Sequence, residues 1–197
     1  MIDRDTLIEN FSFERVSKNP AVFDTDKLEW MNGVYIREMP VEAFADRMSA
    51  LLTAEGMLTG AEASERREWL LKLAPLVSER IKRMDEIPSM VGFFFTDAVE
   101  FDEKARKKVL DKEGAGRAMD AVEAVLLGLD AFDTESIEAA LREVPGTLDL
   151  KPRIVFQAVR VALSGSMVSP PLFESIDLLG KEKTLERLRQ ARSSAVE

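Results

Sequence analysis

Residues 64–84 decide the fold class, and they read SERREWLLKLAPLVSERIKRM. Apolar side chains recur there every three or four positions, at Trp69, Leu70, Leu73, Leu76, Val77, Ile81 and Met84. This spacing places them on one stripe of a helix, so the segment predicts an amphipathic α-helix. Pro75 lies inside the pattern and is expected to kink the helix or divide it into two stacked pieces, because proline lacks the backbone N–H.

The same helical periodicity covers most of the chain outside this segment. Further helices are predicted over 26–39, 41–54, 103–110, 115–129, 133–144, 153–163, 169–180 and 181–191. Pro145 and Gly146 are expected to end one helix at Val144, and Ser169 is expected to cap the helix that starts at two prolines. No segment alternates as a strand does. The predicted fold class is therefore all-α, a helical bundle or cage of two packed helical subdomains with no significant sheet.

Composition excludes several kinds of active site. The 197 residues are 46% hydrophobic and 32% charged, which is typical of a globular chain, and they include no cysteine and no histidine. Disulfides, thiol nucleophiles, His-based triads and zinc sites built on Cys or His are excluded, whereas a Ser–Lys nucleophile or a carboxylate metal site is not. The sequence shows neither a signal-peptide pattern nor a run near the ~18 apolar residues of a membrane span. A cytoplasmic location without a membrane partner is predicted.

Charge is distributed unevenly along the chain. The net charge is −9, yet residues 151–197 carry eight basic and five acidic side chains, a net of +3, which leaves −12 for residues 1–150. A second basic excess runs from Lys72 to Arg83, where Glu79 is the single acidic residue. The acidic total argues against a protein that coats nucleic acid, whereas the two basic segments leave local contacts open.

No side-chain cluster predicts catalysis or metal binding, and no catalytic or metal-ligating residue is assigned. Glu100, Asp102 and Glu103 are interpreted as a solvated helix start, and Phe93–Phe95 as core rather than a base-stacking platform. Residues 160–174 read RVALSGSMVSPPLFE and place a small-residue loop between two predicted helices. Backbone N–H groups at the second helix suit a phosphate or a base edge, although an ordinary helix–loop–helix corner has the same pattern.

Two long blocks resemble the C-terminal region of bacterial glutamyl-tRNA synthetases, which are class I aminoacyl-tRNA synthetases. One block is 160–174, followed by LLGKE at 178–182 and by Leu185, Arg187 and Leu188. The other reads FSFERVSKNPAVFD at 11–24 and KLEWMNGVYIR at 27–37. Residues 79–95 look similar too, while 100–150 match only in helical pattern. The resemblance implies that 1–40 end a stem-contact region and that 41–97 and 98–197 are two anticodon-binding helical subdomains.

The resemblance implies an all-helical cage that binds the anticodon of glutamate tRNA. Arg80 occupies the position of an arginine that hydrogen-bonds the third anticodon base, a cytosine, whose O2 and N3 accept hydrogen bonds. The positions around the first two anticodon bases match Arg160, Ser169, Pro170 and Leu172. Pro171 replaces a glycine found in some members and removes a backbone N–H, which places any contact from that group in question.

The resemblance also implies which chemistry the chain lacks. Neither the HIGH-type nor the KMSKS-type signature that holds ATP is present, so the chain is expected to begin after the catalytic domain and to be inactive alone. ATP and Mg²⁺ are expected only in the full-length ligase, with no cofactor in this chain. The expected partner is glutamate tRNA, not DNA, bound by a monomer. The alternative is a freestanding helical protein–protein interaction module derived from such a domain, which the −12 charge of residues 1–150 supports.

Overall fold

The computed structural model describes residues 3–16 and 22–194, and all regular structure in those ranges is helical. The all-α prediction is confirmed. No helix in these ranges combines the length and apolarity needed to cross a bilayer. The α-helices are α1 (Arg4–Asn10), α2 (Thr25–Glu38), α3 (Val41–Ala54), α4 (Gly60–Glu65), α5 (Arg67–Ser78), α6 (Ile87–Val91), α7 (Glu103–Ala105), α8 (Ala115–Leu127), α9 (Thr134–Leu148), α10 (Pro152–Ser164), α11 (Leu172–Leu179) and α12 (Lys181–Ser194). A π-helical turn, Arg106–Leu110, continues α7.

The first half of the chain packs around α3 and α5. Their buried apolar side chains form one cluster, which includes Phe44, Met48, Leu52, Leu70, Leu73 and Val77. Burying a side chain of this size contributes ~1.5–3 kcal/mol, so the apolar stripe of α5 is sufficient to dock it on α3. Phe93 and Phe94 are buried in the same cluster, which confirms that these two phenylalanines belong to the core.

The second half packs around α8, with α9, α10 and α12 against it. Large apolar residues such as Met119, Leu126 and Leu141 are fully buried there. Buried alanines lie on three of these helices, and their small side chains let the backbones approach closely. They are Ala115, Ala118, Ala158, Ala162 and Ala191. The two clusters describe where side chains pack, and the division into 1–40, 41–97 and 98–197 stays a prediction.

The helix predicted over 64–84 is divided, but not at Pro75. The break falls at Arg66, between α4 and α5. Pro75 lies inside α5, where it forgoes one backbone hydrogen bond without ending the helix. The helix ends at Ser78, and the N–H of Arg80 turns back to the carbonyl of Val77 at 2.9 Å. Arg80 therefore lies on the turn after α5, whereas the longer predicted helix would have placed it on a helical surface.

The helix predicted to end at Val144 continues through Pro145 to Leu148. It ends at Asp149, whose φ of +52° is left-handed, and the N–H of Leu150 donates to the carbonyl of Pro145 at 3.0 Å. Pro145 is buried, so its packing offsets the one hydrogen bond that its missing N–H removes. The prediction was wrong by four residues because tertiary packing outweighs the local preference of proline.

Arg187 of α12 is fully buried and reaches from the second half of the chain to the first. Its guanidinium donates to the carbonyl oxygens of Phe93 at 2.7 Å, Thr96 at 2.6 Å and Leu163 at 2.7 Å. Burial lowers the pKa of Arg187, because removal from water disfavours the charged form. Since Leu163 belongs to α10 while Phe93 and Thr96 follow α6, one side chain fixes α10 against the first half.

Trp69 of α5 makes a second bridge between the halves. Its Nε1–H donates to the carbonyl of Leu178 in α11 at 3.0 Å, and its ring meets Phe94 edge-on at 5.2 Å between centroids. This indole therefore combines apolar packing in the first cluster with a polar contact to the second half.

Replacing Trp69 with phenylalanine is expected to lower the free energy of unfolding by about 1–2 kcal/mol. The smaller ring keeps most of the packing but leaves the Leu178 carbonyl without its donor. Urea unfolding followed by circular dichroism measures the change. Trp30→Phe is the matched control, because Trp30 is exposed and its replacement should stay within about 0.5 kcal/mol of the wild type. Equal effects of the two substitutions would contradict the bridging role of Trp69.

Candidate nucleic-acid interface

The side chain of Arg160, a residue of α10, is anchored to the following loop through one nitrogen of its guanidinium. Its Nη1 donates to the carbonyls of Ser169 at 3.2 Å and Pro170 at 2.9 Å, and also to the Ser169 hydroxyl. Over the described part of the chain, Nε and Nη2 of this half-buried side chain have no hydrogen-bond partner. Arg160 is thus fixed in place with donors still available for a ligand.

The loop after α10 returns to Arg160 because of Gly165. This residue ends α10 with φ +72°, a left-handed conformation that glycine adopts without strain. Its carbonyl accepts the N–H of Asp102 at 2.9 Å, and a Cβ placed on it would lie 2.1 Å from the Glu100 carbonyl oxygen. The backbone of 99–102 therefore presses against the corner from which residues 166–170 fold back.

Ser169 does not cap α11, which corrects the prediction. The N-cap position is Pro171, and the helix begins at Leu172 without a side-chain cap. The Ser169 hydroxyl instead accepts from Arg160 and donates to the Pro170 carbonyl at 3.0 Å. The Ser169 hydroxyl therefore binds a side chain of another helix and not the backbone at the start of α11, as the local sequence had predicted.

Three of the residues predicted around the first two anticodon bases are buried. Ser169 is 3% exposed, Leu172 is 6% exposed, and Pro170 is also buried. Their side chains shape the corner and orient Arg160. Their assignment as anticodon-binding residues stays a prediction, and the guanidinium of Arg160 is the accessible polar group among these four residues.

Arg80 is exposed and lines an open cleft of about 490 Å³ with residues of α2 and of the segment after α5. The other cations of this cleft are paired: Lys82 with Glu29 at 3.9 Å, and Arg83 with Asp85. Hydrogen bonding from Arg83 lowers the pKa of the Asp85 carboxyl. Arg80 has no ion pair with any residue that the structure describes, so it is the cation left for a ligand.

The positive charge of Arg80 acts on Arg160. Burial lowers the pKa of Arg160, and the positive charge of Arg80 lowers it further. An arginine remains protonated in a protein, so the lowered pKa indicates that holding this charge without a counter-charge is unfavourable. A ligand rich in hydrogen-bond acceptors or negative charge would relieve it. Nucleic acid has both properties.

Two residues that hold the Arg80 turn were not predicted from the sequence. Glu86 accepts the N–H groups of Lys82 at 3.1 Å and Arg83 at 2.8 Å, and Asn32 of α2 donates its side-chain amide to the Lys82 carbonyl. Glu86 has the spacing of the glutamate in a capping box, but Arg83 lacks the hydroxyl acceptor of that motif, so the signal in the sequence was weak. Asn32 gave none, because its partner is 50 residues away.

No group of three or more acidic side chains within residues 3–16 and 22–194 has a geometry that could hold a metal ion. The absence of catalytic and metal-ligating residues stays a prediction. Part of the N-terminal block that carries the resemblance, residues 17–21, lies outside the described residues.

The chain is similar to known proteins over nearly its whole length. A family model described as an anticodon binding domain matches residues 42–192. Curated glutamate–tRNA ligases are 38% identical over 192 residues in Roseiflexus castenholzii and 42% identical over 187 residues in Leifsonia xyli. These matches cover 97% and 93% of the chain but 38% of each relative, so the chain spans well under half of their length.

A solved structure supports the same relationship. The crystal structure of a glutamate tRNA ligase from Elizabethkingia meningosepticum, in complex with its amino acid, matches 98% of this chain and 37% of its own, with a TM-score of 0.77 and 26% identity. The resemblance to the C-terminal region of glutamyl-tRNA synthetases is confirmed. Because the family model covers most of its residues, the chain belongs to the family of anticodon-binding domains.

Proposed function

We propose that this chain binds the anticodon of glutamate tRNA, as the anticodon-recognition part of a glutamate–tRNA ligase. The observation that carries the proposal is that two arginines keep unused donors among the described residues: Nε and Nη2 of Arg160 have no hydrogen-bond partner, and Arg80 has no ion pair in its open cleft. A corner of buried residues supports Arg160, and a cleft open to solvent surrounds Arg80.

The donors of this site suit unpaired bases. Single-stranded RNA is recognised by bases splayed from the loop and read at their edges. Arg80 is proposed to donate to O2 and N3 of a cytosine at the third anticodon position, where a well-placed contact is worth ~1–3 kcal/mol of discrimination. Arg160 is proposed to read the first two bases through Nε and Nη2, while Ser169, Pro170 and Leu172 fix its position.

We propose that the attachment of glutamate to tRNA belongs to a whole ligase in which this chain is the recognition part and other residues supply catalysis. In that enzyme ATP and Mg²⁺ would serve the activation step, and this chain would supply recognition without a cofactor of its own. We also propose that it acts as a monomer in the cytoplasm. The separation of recognition from catalysis is supported by the length of the match, because the chain spans 38% of each of these relatives.

Arg80→Gln is expected to relax anticodon discrimination, since glutamine lacks the charge and the fork of donors. The ratio of affinities for glutamate tRNA and for a transcript with a changed third anticodon base should fall by about 5- to 150-fold. Fluorescence anisotropy with end-labelled transcripts at fixed salt measures both affinities.

Arg83→Gln is the matched control, because Arg83 lines the same cleft but is paired with Asp85. It should leave the ratio of affinities near the wild-type value. An unchanged ratio in Arg80→Gln, or an equal loss in both variants, would refute the role of Arg80. Absence of tRNA binding even at low salt would favour the protein–protein module.

A further inference from the structure

A third basic segment lies in the acidic part of the chain. Between positions 104 and 112 there are five basic side chains and one acidic residue, Asp111, although residues 1–150 together carry −12. The basic residues are Lys104, Arg106, Lys107, Lys108 and Lys112. Neither the Arg80–Arg160 site nor the resemblance accounts for them.

The backbone of this segment presents its lysines to solvent. Ala105, Val109 and Leu110 are buried in the second cluster and anchor α7 and the π-helical turn, which the N–H of Asp111 closes onto the Arg106 carbonyl at 3.0 Å. On the opposite side, the exposed lysines line a concavity of about 270 Å³ together with Glu103. These are Lys104, Lys107 and Lys108. A π-helical turn inside a helix often marks a functional site.

Internal ion pairs neutralise only part of this charge. Lys107 pairs with Glu103 at 2.6 Å, and Arg106 pairs with Asp111 at 3.7 Å. Lys104, Lys108 and Lys112 form no ion pair or side-chain hydrogen bond with the residues that the structure describes. We call Lys104, Lys107, Lys108 and Lys112 the lysine patch. It keeps a net positive charge after its own pairs are counted.

The lysine patch adjoins the corner that holds Arg160. Asp102, two residues before Lys104, donates its N–H to the Gly165 carbonyl at 2.9 Å. Gly165 begins the loop that leads to Ser169 and Pro170, the acceptors of Arg160. A direct backbone contact therefore joins this loop to the residue two positions before Lys104, so the lysine patch and the corner that holds Arg160 lie on segments that pack against each other.

We propose that the lysine patch binds the sugar–phosphate backbone of the same tRNA, outside the anticodon. The proposal rests on the proposed function, because it takes tRNA as the ligand of the neighbouring site. Lysine ammonium groups are compact point charges that bind phosphates without requiring a planar fork. No aromatic side chain lines the concavity in the described chain, so the patch offers contacts to charge and none for base stacking. Its contribution should be independent of RNA sequence.

The triple variant Lys104→Gln, Lys107→Gln and Lys108→Gln in the 197-residue chain tests this proposal. Its matched control is Arg47→Gln, Arg66→Gln and Arg117→Gln, which removes the same charge from three exposed residues on α3, between α4 and α5, and on α8. All three lie outside residues 1–40 and outside the two basic segments. The probes are the two transcripts that differ at the third anticodon base, titrated over a range of salt concentrations. Circular dichroism confirms that both triple variants keep the wild-type helical content.

The patch variant is expected to weaken binding of both transcripts equally, by roughly ten- to thirtyfold at low salt. The slope of log K against log salt should become shallower by about 2 to 3, because each lost phosphate contact removes ~0.7–0.9. The control variant should change the slope by less than about 1, and the ratio of affinities for the two transcripts should stay at its wild-type value in the patch variant.

Equal slopes in the patch and control variants would overturn the proposal, since the effect would then be one of net charge. The proposal would also be overturned if the patch variant kept the wild-type salt slope for tRNA but no longer bound polyglutamate. That result would assign the lysine patch to an acidic protein partner. Failure of the proposed function would look different from failure of this proposal. The wild type would then show no preference between the two transcripts, whereas the patch variant would still lose salt-dependent binding and the control variant would not. No tRNA binding at any salt would remove both proposals.

Discussion

Gly165→Ala is expected to lower the free energy of unfolding by about 2–5 kcal/mol. Alanine in the left-handed region costs ~1–2 kcal/mol, and its Cβ would lie 2.1 Å from the Glu100 carbonyl oxygen and 3.0 Å from Val99 Cγ1. Relief of that overlap requires backbone movement, which costs a further ~1–3 kcal/mol. For a chain of this length the thermal midpoint should fall by roughly 4–20 °C, measured by calorimetry.

Gly56→Ala separates the two contributions. Gly56 has the same φ of +72°, but a Cβ there meets nothing within 4 Å, so only the conformational cost of ~1–2 kcal/mol is expected. If the two substitutions cost the same, the backbone of 99–102 does not press on Gly165. Because Gly165 also positions the loop that holds Arg160, the Gly165 variant should bind tRNA more weakly even where it remains folded.

The second large effect is expected at Arg187. Arg187→Met keeps much of the side-chain volume but leaves the carbonyls of Phe93, Thr96 and Leu163 without their donor. Each buried carbonyl left without a donor costs ~1–3 kcal/mol, and removal of the buried charge offsets part of this cost, so a net loss of about 3–5 kcal/mol is expected. Urea unfolding monitored by circular dichroism measures the loss.

Arg189→Met is the control, because Arg189 lies two residues further along α12 and its ion pair with Glu123 is on the surface. An exposed pair of this kind contributes under about 1 kcal/mol. Similar losses in the two variants would show that Arg187 does not join the halves. Since Leu163 lies three residues after Arg160, Arg187→Met should also reduce tRNA affinity, whereas Arg189→Met should not.

The helical class was predictable because the apolar spacing is strong in nearly every segment. α3 matches its predicted range, and α12 begins where the pattern placed it. Helix ends were less predictable. Pro75 and Pro145 both lie inside helices, because each loses one backbone hydrogen bond while tertiary packing holds the turns on either side.

The residues of the candidate site could be predicted from the sequence, but their relative positions and hydrogen bonds could not. Arg80 and Arg160 are 80 positions apart, and the effect of the Arg80 charge on Arg160 depends on how the two halves pack. The use of the Ser169 hydroxyl by Arg160 overrides a local capping signal. The lysine patch was missed because charge was summed over long segments. A count over a window of nine residues would have identified it.

The single-ended anchoring of Arg160 has a kinetic consequence. A guanidinium already held by three acceptors has little rotational freedom left to lose, whereas fixing an exposed side chain such as Arg80 costs ~0.5–1.5 kcal/mol on binding. The guanidinium of Arg160 is therefore preorganised, and under the proposed function it should make the first contact with the anticodon. Arg80 must then order around a base that is already nearby, so differences between anticodons should appear mainly in dissociation rates.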